Sequence, residues 1–160
     1  MILFMLMPCL LAAGSEAVTR PGVAPLIELN DGHSIPSLGL GTWLGFSKEG
    51  GRVAVEDDSV QKAVEVAIDA GYRHIDTAAI YNTEEQVGAA INKKIAENVV
   101  AREDLFITSK ENGTYDETDY AETWQGMVDA KNMGLVKSIG VSNFNITQLQ
   151  RLISMTPVKP

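Results

Sequence analysis

The sequence has very few of the residues that most often bind metals or cross-link a chain. Its only cysteine is Cys9, so no disulfide can form within the chain and no cysteine zinc site is possible. Its only histidines are His33 and His74, which are too few and too widely separated for a convincing metal cluster. We therefore predict a site that contains no metal.

Basic residues are also scarce. The chain has 13 lysines and arginines against 21 acidic residues, which gives a net charge of −8 at pH 7. This balance argues against nucleic acid or an anionic membrane surface as a partner. The hydrophobic share of 45% and the length of 160 residues are ordinary for one globular domain with a core.

The apolar run over residues 1–13 is too short to cross a bilayer as a helix, which takes about 20 residues. It is followed by Ser15-Glu16-Ala17, which has the small-x-small form of a signal-peptidase site. The pattern predicts a signal peptide over residues 1–17 and a secreted domain over residues 18–160. The alternative is a disordered start on a cytoplasmic protein.

Strand-like and helix-like segments alternate along the rest of the chain. Residues 26–30 and 33–35 flank Asp31-Gly32, which predicts a β-hairpin. Four further strands are predicted near Leu38, Tyr72, Leu105 and Val136. Helical periodicity predicts a helix after each of these strands, over residues 57–70, 84–97, 119–132 and 148–154. In parallel α/β folds with this alternation, chemistry gathers at the carboxyl ends of the strands.

The longest motif is G-Y-R-H-I-D-T-A-A-I-Y over residues 71–81. Gly71 follows a predicted helix, where a left-handed backbone is common. Strand alternation places His74 and Asp76 on one face, roughly 7 Å apart, and we expect His74 to fill the interior below Asp76. Tyr81 follows on the loop to the next helix. The alternative interpretation is a buried strand with an ordinary surface tyrosine.

The start of that next helix has its own pattern. Thr83 and Gln86 have the spacing of a capping box. Glu84 and Glu85 lie in the first turn, where carboxylates suit the helix dipole. We expect these two acids to have no role beyond that one.

Residues 71–81 resemble the signature of the aldo-keto reductases. G-T-W over residues 41–43, the lysine that ends the strand at Lys110, and V-K-S-I-G-V-S-N-F-N over residues 136–145 also resemble that family. The resemblance implies a partial (β/α)8 TIM barrel with an N-terminal β-hairpin, about four of the eight strands being present. It also implies NADPH-dependent reduction of a small-molecule aldehyde or ketone.

The resemblance assigns a role to each site residue. Asp76, Tyr81 and Lys110 would be catalytic, with Tyr81 as the proton donor. Thr42, Asp76, Ser142 and Asn143 would bind NADPH, while Trp43 and Tyr81 would line the substrate side. A phenol is a poor acid near neutral pH, so it needs a neighbouring ammonium that favours the phenolate and a carboxylate that holds the ammonium.

Two further motifs indicate a branch of the family. N-T-E-E-Q-V-G over residues 82–88 and D-Y-A-E-T-W over residues 119–124 are most similar to insect enzymes that reduce steroid ketones such as 3-dehydroecdysone. The family pattern would also place a helix and a histidine-bearing strand directly after Lys110. It would continue with three βα units that hold the cofactor's 2′-phosphate.

These departures leave alternatives open. The chain could be a truncated or splice-variant fragment that acts at most as a binding module, or a secreted carrier that is not an enzyme. Because four strands cannot close a barrel, we expect unpaired sheet edges that favour self-association.

Overall fold

The computed structural model describes the backbone of residues 2–4 and all of residues 23–110 and 118–160. The described strands are β1 (Ile2–Phe4), β2 (Leu26–Glu28), β3 (Ser34–Pro36), β4 (Leu40–Gly41), β5 (His74–Asp76), β6 (Phe106–Lys110) and β7 (Gly140–Val141). The described α-helices are α1 (Ser59–Asp69), α2 (Glu84–Ala96), α3 (Tyr120–Asn132) and α4 (Ile146–Met155). Short 3₁₀ helices span Ala79–Tyr81 and Arg102–Asp104.

Five strands form one sheet in the order β4-β5-β6-β1-β7. Strands β4, β5 and β6 are parallel neighbours, with Gly41 opposite Asp76 and Asp76 opposite Thr108. Strand β1 lies between β6 and β7 and is antiparallel to both. The four predicted barrel strands are therefore present as β4, β5, β6 and β7, although the ladders of β4 and β7 cover only two residues each.

The predicted hairpin is confirmed. Strands β2 and β3 pair antiparallel, with Ile27 opposite Ile35. Gly32 in the turn has φ of 83°, which is the left-handed region that glycine enters at no steric cost. Lys131 Nζ in α3 lies 2.7 Å from Asp31 Oδ2 and ties the hairpin to this helix.

One apolar layer lies between the parallel strands and the first two helices. Val60, Val64 and Ile68 recur at four-residue spacing within the helix predicted over residues 57–70, and all three are buried. They pack in one cluster with Ile75 of β5 and with the apolar residues of α2. Since Ile75 faces this layer, its neighbours in β5 face the opposite side of the sheet.

A second apolar cluster surrounds Trp124 in α3. It contains Phe106, Trp124, Met127, Val128, Val136, Ile139 and Leu152. Trp124 is 1% exposed, and its indole Nε1 donates to the carbonyl oxygen of Val158 at 3.2 Å. The helix predicted over residues 119–132 is thus confirmed, and it begins at an Asp119 side chain that accepts from the Ala121 N–H.

The predicted capping box at Thr83 is wrong. Thr83 is fully buried, and its hydroxyl hydrogen-bonds to the hydroxyls of Thr42 and Thr77 instead of to its own helix. The Gln86 carboxamide reaches the neighbouring helix α1, where it accepts from the Gln61 N–H at 2.9 Å. Tertiary partners therefore take both side chains away from the local cap.

The predicted signal peptide over residues 1–17 lies mostly outside the described residues, as does Cys9. Its cleavage and the secretion that would follow stay predictions. Residues 111–117, which follow Lys110, are also outside the described part. Within the described ranges, none of the helices has the length and apolar character that a membrane crossing requires.

Candidate active site

The carboxyl ends of β5 and β6 bring a carboxylate and an ammonium into direct contact. Lys110 Nζ lies 2.6 Å from Asp76 Oδ1 and 2.6 Å from Asp76 Oδ2. The same ammonium donates to the Thr77 carbonyl oxygen at 2.9 Å. The Tyr81 hydroxyl oxygen lies 3.5 Å from Lys110 Nζ. The structure therefore brings the three predicted catalytic residues together.

The two charges of this pair differ in their access to water. The Lys110 side chain is 7% exposed, whereas the Asp76 side chain is 35% exposed. A buried ammonium depends on its protein partners, because water cannot replace them. Asp76 is therefore the partner that keeps the positive charge of Lys110 in place.

A short helix and a left-handed residue set the position of Tyr81. Tyr81 ends the 3₁₀ helix Ala79–Tyr81, and Asn82 follows it with φ of 56°. Asparagine enters this region more readily than most residues, so the chain can turn directly after the phenol. The Tyr81 ring centroid lies 5.1 Å from Lys110 Nζ, so the ammonium faces the ring as well as the hydroxyl.

Aromatic side chains form one exposed wall of the site. The ring centroids of Trp43 and Tyr81 are 5.1 Å apart, and those of Trp43 and Phe46 are 5.4 Å apart. Trp43 is 38% exposed and Phe46 is 69% exposed. The structure thus places Trp43 beside Tyr81, and the predicted role of both residues in lining the substrate side stays a prediction.

Thr42 lies below this surface. It is buried, its N–H and hydroxyl both donate to the Asp76 carbonyl oxygen, and its hydroxyl also meets Thr83 at 3.0 Å. The threonine therefore holds the end of β5 against β4. Its predicted contact with a cofactor stays a prediction.

Ser142 and Asn143 directly follow β7. Ser142 Oγ donates to Asn143 Oδ1 at 2.8 Å, and Asn143 has φ of 63°. Because β1 lies between β6 and β7, two strand spacings, about 10 Å, separate this strand end from Lys110. The pair is thus on the sheet but apart from the three catalytic candidates.

Sequence reasoning missed a contact of Glu84. Ser109, which precedes Lys110, donates from its hydroxyl to Glu84 Oε1 at 2.5 Å. This bond ties the end of β6 to the start of α2, so Glu84 does more than suit a helix dipole. Residue types at this spacing carry no signal for the contact, since 25 residues separate its partners.

The sequence also gave no reason to single out Arg52. Phe46 and Arg52 form an isolated antiparallel bridge in the loop after β4. Arg52 Nη1 donates to the carbonyl oxygen of Ile80 at 3.3 Å, which links this loop to the turn that carries Tyr81. A polar, glycine-rich loop predicts neither contact.

His74 lies inside the sheet, as predicted. Its Nε2 is 3.1 Å from Thr108 Oγ1, and its ring centroid is 5.2 Å from that of Phe106. Burial lowers the pKa of His74, which favours a neutral ring. A β-carbon at Gly39 would approach His74 Nδ1 to 2.6 Å, so the glycine leaves the space that the imidazole fills.

The ends of parallel strands β5 and β6 thus hold an ammonium, a carboxylate and a phenol in contact, at the edge where β/α-barrel proteins place their sites. The profile described as the aldo/keto reductase family matches residues 37–117 and 114–160. The chain belongs to this family, and its fold is part of a TIM barrel.

Individual relatives of the chain are members of the same family. The chain is 42% identical, over an alignment 176 positions long, to aldo-keto reductase AKR2E4 of Bombyx mori, covering 86% of this chain and 56% of that protein. It is 34% identical to mouse estradiol 17 beta-dehydrogenase 5, covering 83% of this chain and 54% of that protein. The chain thus spans about half the length of these relatives.

Solved structures show the same fold. The structure of AKR2E4 of Bombyx mori in complex with NADP matches with a TM-score of 0.76 and 40% identity, over 86% of this chain and 56% of that one. The structure of AKR2E5 complexed with NADPH matches with a TM-score of 0.77 and 37% identity, over 86% and 53%.

Proposed function

We propose that this site reduces the carbonyl group of a small molecule with NADPH as the reductant. The observation that carries the proposal is the contact of Lys110 Nζ with both carboxylate oxygens of Asp76, beside the Tyr81 hydroxyl. Similar proteins have been solved with NADP and NADPH, which supports the same cofactor here. When bound, NADPH supplies a hydride to the substrate's carbonyl carbon.

In this proposal Tyr81 gives the proton to the carbonyl oxygen. The phenol oxygen gains negative charge as the proton leaves, and the Lys110 ammonium stabilises that charge. Asp76 fixes the ammonium, which has little contact with water. Trp43 packs against the Tyr81 ring and limits the directions from which a substrate can reach the hydroxyl.

The residues after β7 fit the nicotinamide end of the cofactor. A carboxamide needs both hydrogen-bond donors and acceptors, and Ser142 and Asn143 offer both. These two side chains now bond to each other at 2.8 Å, so each can exchange that bond for one to the cofactor.

We further propose a steroid ketone, such as 3-dehydroecdysone, as the substrate class. Trp43 and Phe46 expose a continuous aromatic surface beside Tyr81, which suits a flat, apolar ligand. One relative is named as an estradiol dehydrogenase, which supports steroids as a class. The motifs over residues 82–88 and 119–124 support the insect branch.

The test is NADPH oxidation with a small diketone and with a 3-ketosteroid. We expect Tyr81→Phe to lower kcat at least about a hundredfold, because it removes the proton donor and leaves the ring. Tyr72→Phe is the matched control, since Tyr72 lies before β5 and away from the site. Equal loss in both variants, or none in Tyr81→Phe, would contradict the assignment.

A second candidate is a binding module without turnover. The family profile matches in two pieces that meet at residues 114–117, directly after the strand that ends at Lys110. This break falls where the family pattern predicted a further helix and strand. In this case the unaltered chain would oxidise no NADPH, and a fluorescence titration would show weak NADPH binding or none. A secreted carrier would instead retain steroid without consuming NADPH.

A further inference from the structure

Strands β6 and β7 do not pair with each other. A slot one strand wide separates them, and β1 occupies it. Leu3 lies opposite Lys110 on one side and opposite Gly140 on the other. The three residues Ile2–Phe4 therefore complete the sheet between the strand of the candidate catalytic lysine and the strand that leads to Ser142.

The direction of β1 distinguishes it from the strands around it. Strands β4, β5 and β6 run parallel, as expected for successive βα units, whereas β1 runs antiparallel to both of its neighbours. Parallel neighbours joined by a helical crossover come from the repeating βα pattern. A strand of opposite direction comes from elsewhere in the chain and enters the slot as an added strand.

An empty slot would be unfavourable. One edge of β6 pairs with β5, and its other edge would present unpaired N–H and C=O groups. Added strands satisfy such edges through backbone hydrogen bonds, which depend little on sequence. The slot lies next to Lys110, so the same pairing also fixes the backbone of that residue.

We propose that the slot between β6 and β7 is a strand-binding site, and that its occupant is the chain's own segment Ile2–Phe4. This inference does not depend on the proposed function. It has a consequence for the predicted signal peptide, because cleavage after Ala17 would remove β1. The form that keeps residues 2–4 then has a filled slot, and a form that loses them has an open edge beside Lys110.

A cross-link tests the pairing directly. Opposed residues in an antiparallel pair have Cα atoms roughly 4.5–5.5 Å apart, within the range of a disulfide. We expect Leu3→Cys with Gly140→Cys, in a Cys9→Ser background, to form an intramolecular disulfide under mild oxidation, detected by mass spectrometry. Leu3→Cys with Gly51→Cys is the matched control and should remain reduced. A failure of the first pair to link, or equal linking of both, would overturn the proposal.

Hydrogen exchange gives an independent readout in the full chain. Leu3→Pro removes the N–H of the central residue of β1, whereas Leu3→Val keeps it and suits a strand. We expect amides of residues 106–110 and 140–141 to exchange at least tenfold faster in Leu3→Pro than in Leu3→Val. Unchanged exchange in Leu3→Pro would overturn the proposal. If that variant does not fold, the cross-link decides by itself.

Discussion

The contact between Asp76 and Lys110 predicts an asymmetry between two single substitutions. Asp76→Asn keeps the side-chain shape and removes its charge, which leaves the ammonium of Lys110 with 7% exposure and no carboxylate at 2.6 Å. Lys110→Met instead leaves the carboxylate of Asp76, of which 35% is exposed. Water can solvate the unpaired Asp76 carboxylate much better than the unpaired Lys110 ammonium.

The expected magnitudes follow from this difference. Breaking a buried ion pair by removing one partner costs about 3–5 kcal/mol in the free energy of unfolding. We expect about 3 kcal/mol for Asp76→Asn, since the Thr77 carbonyl still accepts from the ammonium. We expect about 1 kcal/mol for Lys110→Met and a similar value for the double variant, because neither retains a buried ammonium.

The assay is urea unfolding followed by far-ultraviolet circular dichroism at pH 7.5. With a slope of about 2 kcal/mol per molar urea, Asp76→Asn should lower the midpoint by about 1.5 M and Lys110→Met by about 0.5 M. Asp69→Asn is the matched control. It removes a carboxylate 2.7 Å from the mostly buried Lys94, which keeps Glu97 at 3.0 Å.

Two results would refute the reasoning. The first is a cost of Lys110→Met that equals or exceeds that of Asp76→Asn, which would mean that burial does not decide the outcome. The second is a double variant whose cost equals the sum of the single costs, since the two residues would then act independently. Asp69→Asn should cost clearly less than Asp76→Asn, because Lys94 retains a second partner.

Three further predictions concern other parts of the chain. Burial opposes ionisation of Asp31, but the hydrogen bonds that its carboxylate accepts, from Lys131 first and from the His33 N–H, together with the positive charge of Lys131, outweigh burial and hold the pKa of this carboxyl below its usual value. Because the folded-state pKa is depressed, the carboxylate stabilises the fold above about pH 4 and this contribution is lost as the pH falls further. At pH 7 the Asp31→Asn variant should therefore have a lower free energy of unfolding than the wild type, and this difference should shrink below pH 4. The control Glu56→Gln should match the wild type at every pH. Asn82→Ala should cost about 1 kcal/mol in thermal unfolding, because φ of 56° is unfavourable for alanine, whereas Asn82→Gly should cost less. A chain without residues 1–17 should sediment as oligomers or aggregates, since its β6 edge is open, and a sharp monomer boundary would contradict this.

The local parts of the fold could be predicted from the sequence. The four-residue spacing of Val60, Val64 and Ile68 indicates a helix that packs against the sheet through one face, and the structure buries all three. The Asp31-Gly32 turn and the strand alternation of His74 and Asp76 are equally local. Each of these signals depends on neighbours within one turn or one strand, so the sequence alone determines them.

Contacts between distant segments needed the tertiary structure. Thr83 has the spacing of a cap, yet partners at Thr42 and Thr77 take its hydroxyl. Glu84 contacts Ser109 across 25 residues. The pairing of Ile2–Phe4 with β6 and β7 was likewise not predictable, because the sequence pattern of this apolar run predicts a leader, whereas the pairing depends on strand edges that only the folded sheet presents. The sequence by itself determined which side chains are available to the site. Only the tertiary structure decided which hydroxyl groups and which strand edges those side chains and segments contact, because these contacts depend on the order of the strands in the sheet.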